Sequence, residues 1–237
     1  LHEYSALNIS WFGGEPTTAM RVIERLSEQM ILCCKKLGIP YQAGITTNGY
    51  NLTYDNFLTL LKYKVRSFQV TLDGTKEYQD KFKRTVDDKP TFDTVFNNLK
   101  EIRDKCKSRT FSLIIRTNIS SDSLNDRPDI LELYKKEFGD DKRFSFYFRP
   151  VGNWGGDRVK DIEKSVFKRE NYHDVYKKLA ECDVGLNYWM YYVELTKRID
   201  ICYAARKNSY VIGSDLRIYK CSVIFDDPVN QVGYITS

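Results

Sequence analysis

The sequence predicts an α/β protein built on an open, mainly parallel sheet, and three observations predict it. Short apolar runs alternate with segments of helical period over the first 150 residues. Each apolar run closes on glycine, asparagine or aspartate, as a strand entering a loop does. The apolar fraction of 42% and the aromatic fraction of 14% suffice for a packed core and argue against disorder.

The elements follow in order. Residues 7–12 read as a short buried strand, stopped by Gly13-Gly14-Glu15-Pro16. Thr17 or Thr18 is positioned to cap the helix that follows, in which Met20, Ile23, Leu26, Met30 and Leu37 keep helical spacing. Gly38 and Pro40 end it. Residues 41–47 form a second strand closed by Asn48-Gly49, and Leu58 to Leu61 lie in the next helix. Residues 66–72 form a third strand closed by Asp73-Gly74. A helical region broken around Asp87-Asp88-Lys89-Pro90 resumes near Phe92. Strands over 110–117 and 143–149 flank a helix near 128–138. Five strands cannot close an eight-stranded barrel, so the expectation is a partial, open (βα) barrel. After Pro150 the rhythm changes. Gly152, Gly155 and Gly156 mark a loop, residues 169–182 look helical, and 209–222 reads as a hairpin turning at Gly213-Ser214-Asp215. The change of rhythm divides the chain into 1–195 and a smaller region over 196–237.

Charge and composition exclude several classes. The net charge is +5 with both signs interspersed. No one-signed stripe with stacking aromatics suggests nucleic acid. No apolar run reaches the ~18 residues of a membrane helix, and Tyr188-Trp189-Met190-Tyr191-Tyr192 is too short. Six cysteines in a chain of 237 residues do not make a disulfide scaffold, so a reducing cytoplasm is expected. The first residue is Leu1, which reads as a boundary inside a longer protein.

In parallel α/β folds, sites lie at the carboxyl ends of the strands. Here those ends carry Gly13-Gly14-Glu15-Pro16, Thr46-Thr47-Asn48-Gly49, Thr71-Leu72-Asp73-Gly74, Arg116-Thr117-Asn118 and Arg149-Pro150-Val151-Gly152. Two adjacent glycines let a ligand approach the backbone, and Glu15 with free carbonyls can accept from an ammonium group. The turn lacks the Gly-Lys-Ser/Thr element of a phosphate loop.

The order of these motifs resembles the radical S-adenosylmethionine enzymes of the SPASM class, which include anaerobic sulfatase maturases and peptide-modifying maturases. The resemblance rests on Gly13-Gly14-Glu15-Pro16, a strand ending Thr47-Asn48-Gly49 about 35 residues on, and Val70-Thr71-Leu72-Asp73-Gly74. It continues through Asp80-Lys81-Phe82-Lys83-Arg84 and Thr91-Phe92. It covers residues 7–152 well and 202–235 more loosely. It implies that Gly13, Gly14 and Glu15 hold the methionyl amino group of S-adenosylmethionine, with Thr71 near the carboxylate. Lys83 takes the place of the usual basic partner of that carboxylate, with Arg84 as its substitute, and Asn118 is a polar contact to the cofactor. It implies that Cys202 and Cys221 ligate an auxiliary [4Fe–4S] cluster in a full-length parent. The partner implied is a peptide or protein substrate, with no nucleic acid and no membrane.

The resemblance also implies a three-cysteine motif, C-x-x-x-C-x-x-C, holding a [4Fe–4S] cluster that cleaves the bound cofactor to a hydrogen-abstracting radical. No such motif is present, so these residues alone are expected to hold no such cluster and to be catalytically silent. Two other readings stay open: a degenerate barrel that binds a peptide or small metabolite without redox chemistry, and an acid–base enzyme using Glu15, Asp73 and His173. Trp154 and Asp157 are candidates for the barrel mouth.

Overall fold

A computed structural model describes residues 4–121, 123, 127–152, 165–182 and 201–236. The expected alternation is present. β1 (Leu7–Trp11), β2 (Tyr41–Thr47), β3 (Val65–Thr71), β4 (Ser112–Ile119) and β5 (Phe144–Pro150) form one sheet in the order β1-β2-β3-β4-β5, every pairing parallel. Between them run α1 (Met20–Leu37), α2 (Tyr54–Lys62), α3 (Lys76–Phe82), α4 (Phe92–Lys105) and α5 (Arg127–Phe138). Among the described residues β1 and β5 each pair on one side only, so the sheet stays open.

Neighbouring strands joined by same-handed crossovers put the connecting helices on one face. The alternation of burial shows this. In β2, Tyr41, Ala43, Ile45 and Thr47 are buried while Gln42, Gly44 and Thr46 are not. In β4, Leu113, Ile115, Thr117 and Ile119 are buried while Ser112, Arg116 and Asn118 are less so. The buried set packs on Phe57, Leu60, Val95, Leu99, Ile102, Tyr134 and Phe138 from the helices. Aromatic rings fill the gaps: Phe57 stands 4.9 Å from both Phe68 and Phe111, and Phe138 stacks at 4.9 Å on Phe144. Each buried Phe is worth about 1.5–3 kcal/mol of transfer free energy. β3 departs from strict alternation at its start, where Val65 and Phe68 are both buried. A register shift opposite Ala43/Gly44 absorbs the extra residue.

The other face of the sheet is polar. Ser10, Thr46, Ser67, Gln69, Thr71, Ser112, Arg116, Asn118, Ser145 and Arg149 occupy it. A face packed only for stability would carry apolar layers instead. At its amino-terminal half it opens into a cavity of about 550 Å³ lined by Asn8, Gln42, Ser67 and Ser112, away from the strand ends that carry the motifs.

Several boundaries differ from expectation. The first helix is capped by neither Thr17 nor Thr18. Both lie inside a 3-10 turn, Pro16–Ala19, whose N-cap is Glu15. β4 runs on to Ile119, because its last residues pair with β5 as far as Ile119↔Pro150. α2 begins at Tyr54, where the Thr53 hydroxyl accepts from the Asn56 amide at 3.3 Å. α6 (Tyr172–Cys182) follows a short 3-10 turn and places Val175 and Tyr176 in the core.

Residues 201–236 hold a separate antiparallel sheet. β6 (Val211–Ile212) and β7 (Arg217–Tyr219) form the expected hairpin, and β8 (Gln231–Tyr234) adds a third strand that local pattern did not reveal. The boundary at 195/196, Trp154, Asp157 and the aromatic tract 188–192 lie outside the described residues. Among the described residues no helix is long and apolar enough to cross a membrane.

Candidate functional site

The motifs collect at the carboxyl ends of the five parallel strands and divide into a clamp and a network. The clamp is Glu15. Its carboxylate accepts from the Thr17 amide (3.0 Å), the Thr17 hydroxyl (2.6 Å), the Thr47 hydroxyl (2.7 Å) and the Asn48 amide (2.7 Å). Thr47 shares the parity of the helix-facing residues of β2. The Glu15 side chain therefore turns toward the helix layer and ties the loop after β1 to the end of β2. Oε1 takes three of these bonds and Oε2 takes one. Gly13 and Gly14 are exposed just before it, Gly13 at φ +136°, and a Cβ on either would meet nothing within 4 Å. The open feature of this turn is its backbone.

The network is centred on Asp73, which is buried after β3. Its Oδ1 accepts from the backbone amide of Asn118 (2.9 Å) and from Asn118 Nδ2 (2.8 Å), and its own amide donates to Gln79 Oε1 (2.7 Å). Lys83 Nζ lies 3.5 Å from Asp73 Oδ2. Asn118 Oδ1 in turn accepts from Arg116 Nε at 3.0 Å. Thr71 is the β3 register partner of Arg116, and Tyr147 is its partner in β5. Lys83 and Asn118 thus meet on one buried carboxylate, two residues after Thr71 at the end of β3.

Arg84 does not join them. Its guanidinium donates to the Asp80 carbonyl at 2.9 Å and to the Asp88 carbonyl and carboxylate, closing the 80–88 loop on itself. It is not placed to substitute for Lys83. Cys202 and Cys221 are free thiols in the C-terminal sheet region, one exposed and one half-buried. The segments carrying them are joined by the Tyr203 hydroxyl, 2.6 Å from the Ser222 hydroxyl.

The Glu15 and Asp73 carboxylates are committed as described, and His173 is exposed on α6 with Asp174 3.5 Å away. Motif reading placed Arg116 and Arg149 at the strand ends without giving them a role, and passed over Tyr147, whose hydroxyl accepts from Arg149 Nη1 at 3.0 Å. The signal was available: a charged residue at the less buried parity of an otherwise apolar strand marks the ligand side of a sheet. Burial pulls the Arg116 guanidinium below its ordinary range. The nearby Arg149 charge acts the same way, opposed by Tyr147 and Asp73.

The fold is that of a half-barrel open at one side, and solved structures share it. The chain superposes on native anSMEcpe, an anaerobic sulfatase-maturating enzyme, with bound AdoMet and a Kp18Cys peptide. The TM-score is 0.71 at 18% identity, over 98% of this chain and 64% of that one. The same enzyme with AdoMet and a Cp18Cys peptide gives the same values, and its histidine-tagged form with AdoMet gives a TM-score of 0.66 at 18% identity, over 98% and 61%. The chain thus spans about 64% of the length of the first of these proteins. No family model and no curated protein sequence matches it.

Proposed function

We propose that the chain is the S-adenosylmethionine-binding core of a radical enzyme that modifies a peptide or protein side chain by hydrogen abstraction. The observation that carries this reading is the polar rim itself: an open Gly13-Gly14 backbone at the same carboxyl end of the sheet as Thr71, Lys83 and Asn118, on a fold shared with structures that hold AdoMet and a peptide. Residues 1–195 would be the barrel portion, and 196–237 the start of a SPASM-like region.

The residues present fit the cofactor. The unoccluded backbone of Gly13 and Gly14 offers carbonyls to the methionyl ammonium. The Thr71 hydroxyl and the Lys83 ammonium suit the carboxylate, and Asn118 holds Asp73 between them. Glu15 is a positioning residue that fixes the glycine turn through Thr47 and Asn48. When bound and reduced, the cofactor supplies the hydrogen-abstracting species. The chain's own residues orient it, with Lys83 held 3.5 Å from Asp73.

The residues present do not fit an iron–sulfur cluster. The 237 residues contain no C-x-x-x-C-x-x-C. Among the described residues no three His, Cys, Asp or Glu side chains converge to hold a metal. Cys202 and Cys221 supply two thiols where a [4Fe–4S] site takes four ligands.

Equilibrium dialysis with labelled S-adenosylmethionine tests the reading without turnover. Saturable binding is expected, weakened about tenfold by Thr71→Val, the worth of one hydrogen bond to a charged group. Absence of saturable binding would overturn it.

A further inference from the structure

Arg116 is the group that the rim does not explain. It lies on the polar face of β4, partly buried, between the register partners Thr71 and Tyr147. Its Nε donates to Asn118, and among the described residues no carboxylate lies within ion-pair distance of its guanidinium. The nearest structural acid, Asp73, is already shared by Asn118 and Lys83. The other acids of the region are likewise committed, Asp80 to the amides of Thr91 and Phe92 and Glu15 to its clamp. A second guanidinium, Arg149, stands on the neighbouring strand beside Tyr147.

A desolvated cation without a counter-charge is costly unless an anion arrives to meet it. Asn118 is neutral and supplies no such charge. By accepting from Nε it fixes the plane of the guanidinium and leaves both terminal nitrogens as donors. Two parallel N–H groups held in one plane match the two oxygens of a carboxylate. We propose that Arg116 is a carboxylate-binding residue of the barrel mouth, pre-oriented by Asn118 and Asp73.

This deepens the reading given above and rests on it for the source of the carboxylate. The same fork can take the methionyl carboxylate of the cofactor or an acidic side chain of a polypeptide substrate. In the first case Arg116 supplies the bidentate contact that Lys83, a point charge paired with Asp73, does not.

The test measures binding to the chain and to Arg116→Gln with three probes: S-adenosylmethionine, its decarboxylated form and N-acetyl-glutamate amide. If the cofactor is the source, the chain prefers S-adenosylmethionine over the decarboxylated form by about ten- to a hundredfold, and Arg116→Gln erases that preference. If an acidic side chain is the source, the two cofactor forms bind alike, and N-acetyl-glutamate amide binds the chain but not the variant. Arg116→Lys, which keeps the charge and loses the fork, should fall between in either case. It also serves where Arg116→Gln fails to fold, as judged by circular dichroism. The proposal is overturned if every probe binds the chain and both variants equally, or binds none of them. Arg116-dependent binding of N-acetyl-glutamate amide without any binding of S-adenosylmethionine would remove the cofactor reading and keep the carboxylate site.

Discussion

Glu15 illustrates how a carboxylate at a glycine turn can be tied into the protein on both sides. A carboxylate after two exposed glycines has the chemistry to accept from an ammonium group, and here it also accepts from Thr17, Thr47 and Asn48. What it offers the site is position: it sets the path of the Gly13-Gly14 backbone against the end of β2. Hydrogen bonds to a charged acceptor contribute about 1.5–3 kcal/mol each before compensation by water. Glu15→Ala is therefore expected to lower the unfolding free energy by roughly 2–4 kcal/mol, read from urea denaturation. A loss below about 0.5 kcal/mol, the range of a plain surface change, would show that the clamp contributes nothing. Asp73 and Arg116 make the opposite pair. The buried acid is used up by its neighbours, whereas the base on the next strand keeps donors in reserve.

The elements around the rim are held by long-range capping. α4 begins at Thr91, which makes no side-chain cap bond to its own helix. Asp80 from α3 does that work, accepting from the amides of Thr91 (2.9 Å) and Phe92 (2.8 Å). The Thr91 hydroxyl donates to the Lys83 carbonyl at 2.6 Å and accepts from Gln79, which itself accepts from the Asp73 amide. The α3–α4 connection is thus tied to the rim, and Lys83 is placed by it. Partial burial pushes the Asp80 carboxyl up, but the Phe92 and Thr91 amides and Lys76 outweigh it, so the folded group titrates below the usual aspartate range. Its stabilisation is then complete above the unfolded value near pH 3.9 and is lost as pH falls through the lower folded value. Asp80→Asn should cost about 1–2 kcal/mol at pH 7 and should flatten the fall in stability below about pH 4. Equal slopes for the two proteins in urea unfolding between about pH 2 and 5 would contradict this. A local backbone demand acts at the same scale. Gly49 closes β2 at φ +77°, where a Cβ would stand 2.6 Å from Val70 Cγ1, so only glycine fits the turn.

Across the whole molecule, the helix layer covers one face of the sheet and leaves the other polar, and the cysteines report that division. Cys34 and Cys106 are buried in the helix layer, while Cys33 and Cys202 are exposed. Burial and the adjacent Cys33 thiol push Cys34 above its ordinary range, which lowers its thiolate fraction further. Alkylation followed by peptide mapping should modify Cys33 and Cys202 first and reach Cys34 and Cys106 only as the chain unfolds. Early modification of Cys106 would mean that α4 does not pack as described. The polar face suits a ligand mouth, because its serines, threonines and arginines carry donors and acceptors where an apolar layer would carry none.

The alternation of strands and helices, the parallel sense and the open edge were all legible in the sequence, because burial on one side of a strand or helix is written as a period of two or of 3.6 along the chain. So was the gathering of glycines and polar residues at one end of the sheet, since single crossovers send every strand the same way. The third strand β8 was not, because its short run alternates apolar residues with glycine and gains its identity only by pairing with β7. Nor could the sequence say which polar groups are spent on the protein and which are free for a ligand. Glu15 meets Thr47 across 32 residues and Asp73 meets Asn118 across 45, each at hydrogen-bonding distance. Such coincidences depend on strand register and on where each crossover returns, and no local pattern encodes either. Tertiary structure alone therefore decided that Glu15 is tied to the end of β2, that Arg84 is bound into its own loop and that, among the described residues, Arg116 keeps its fork open.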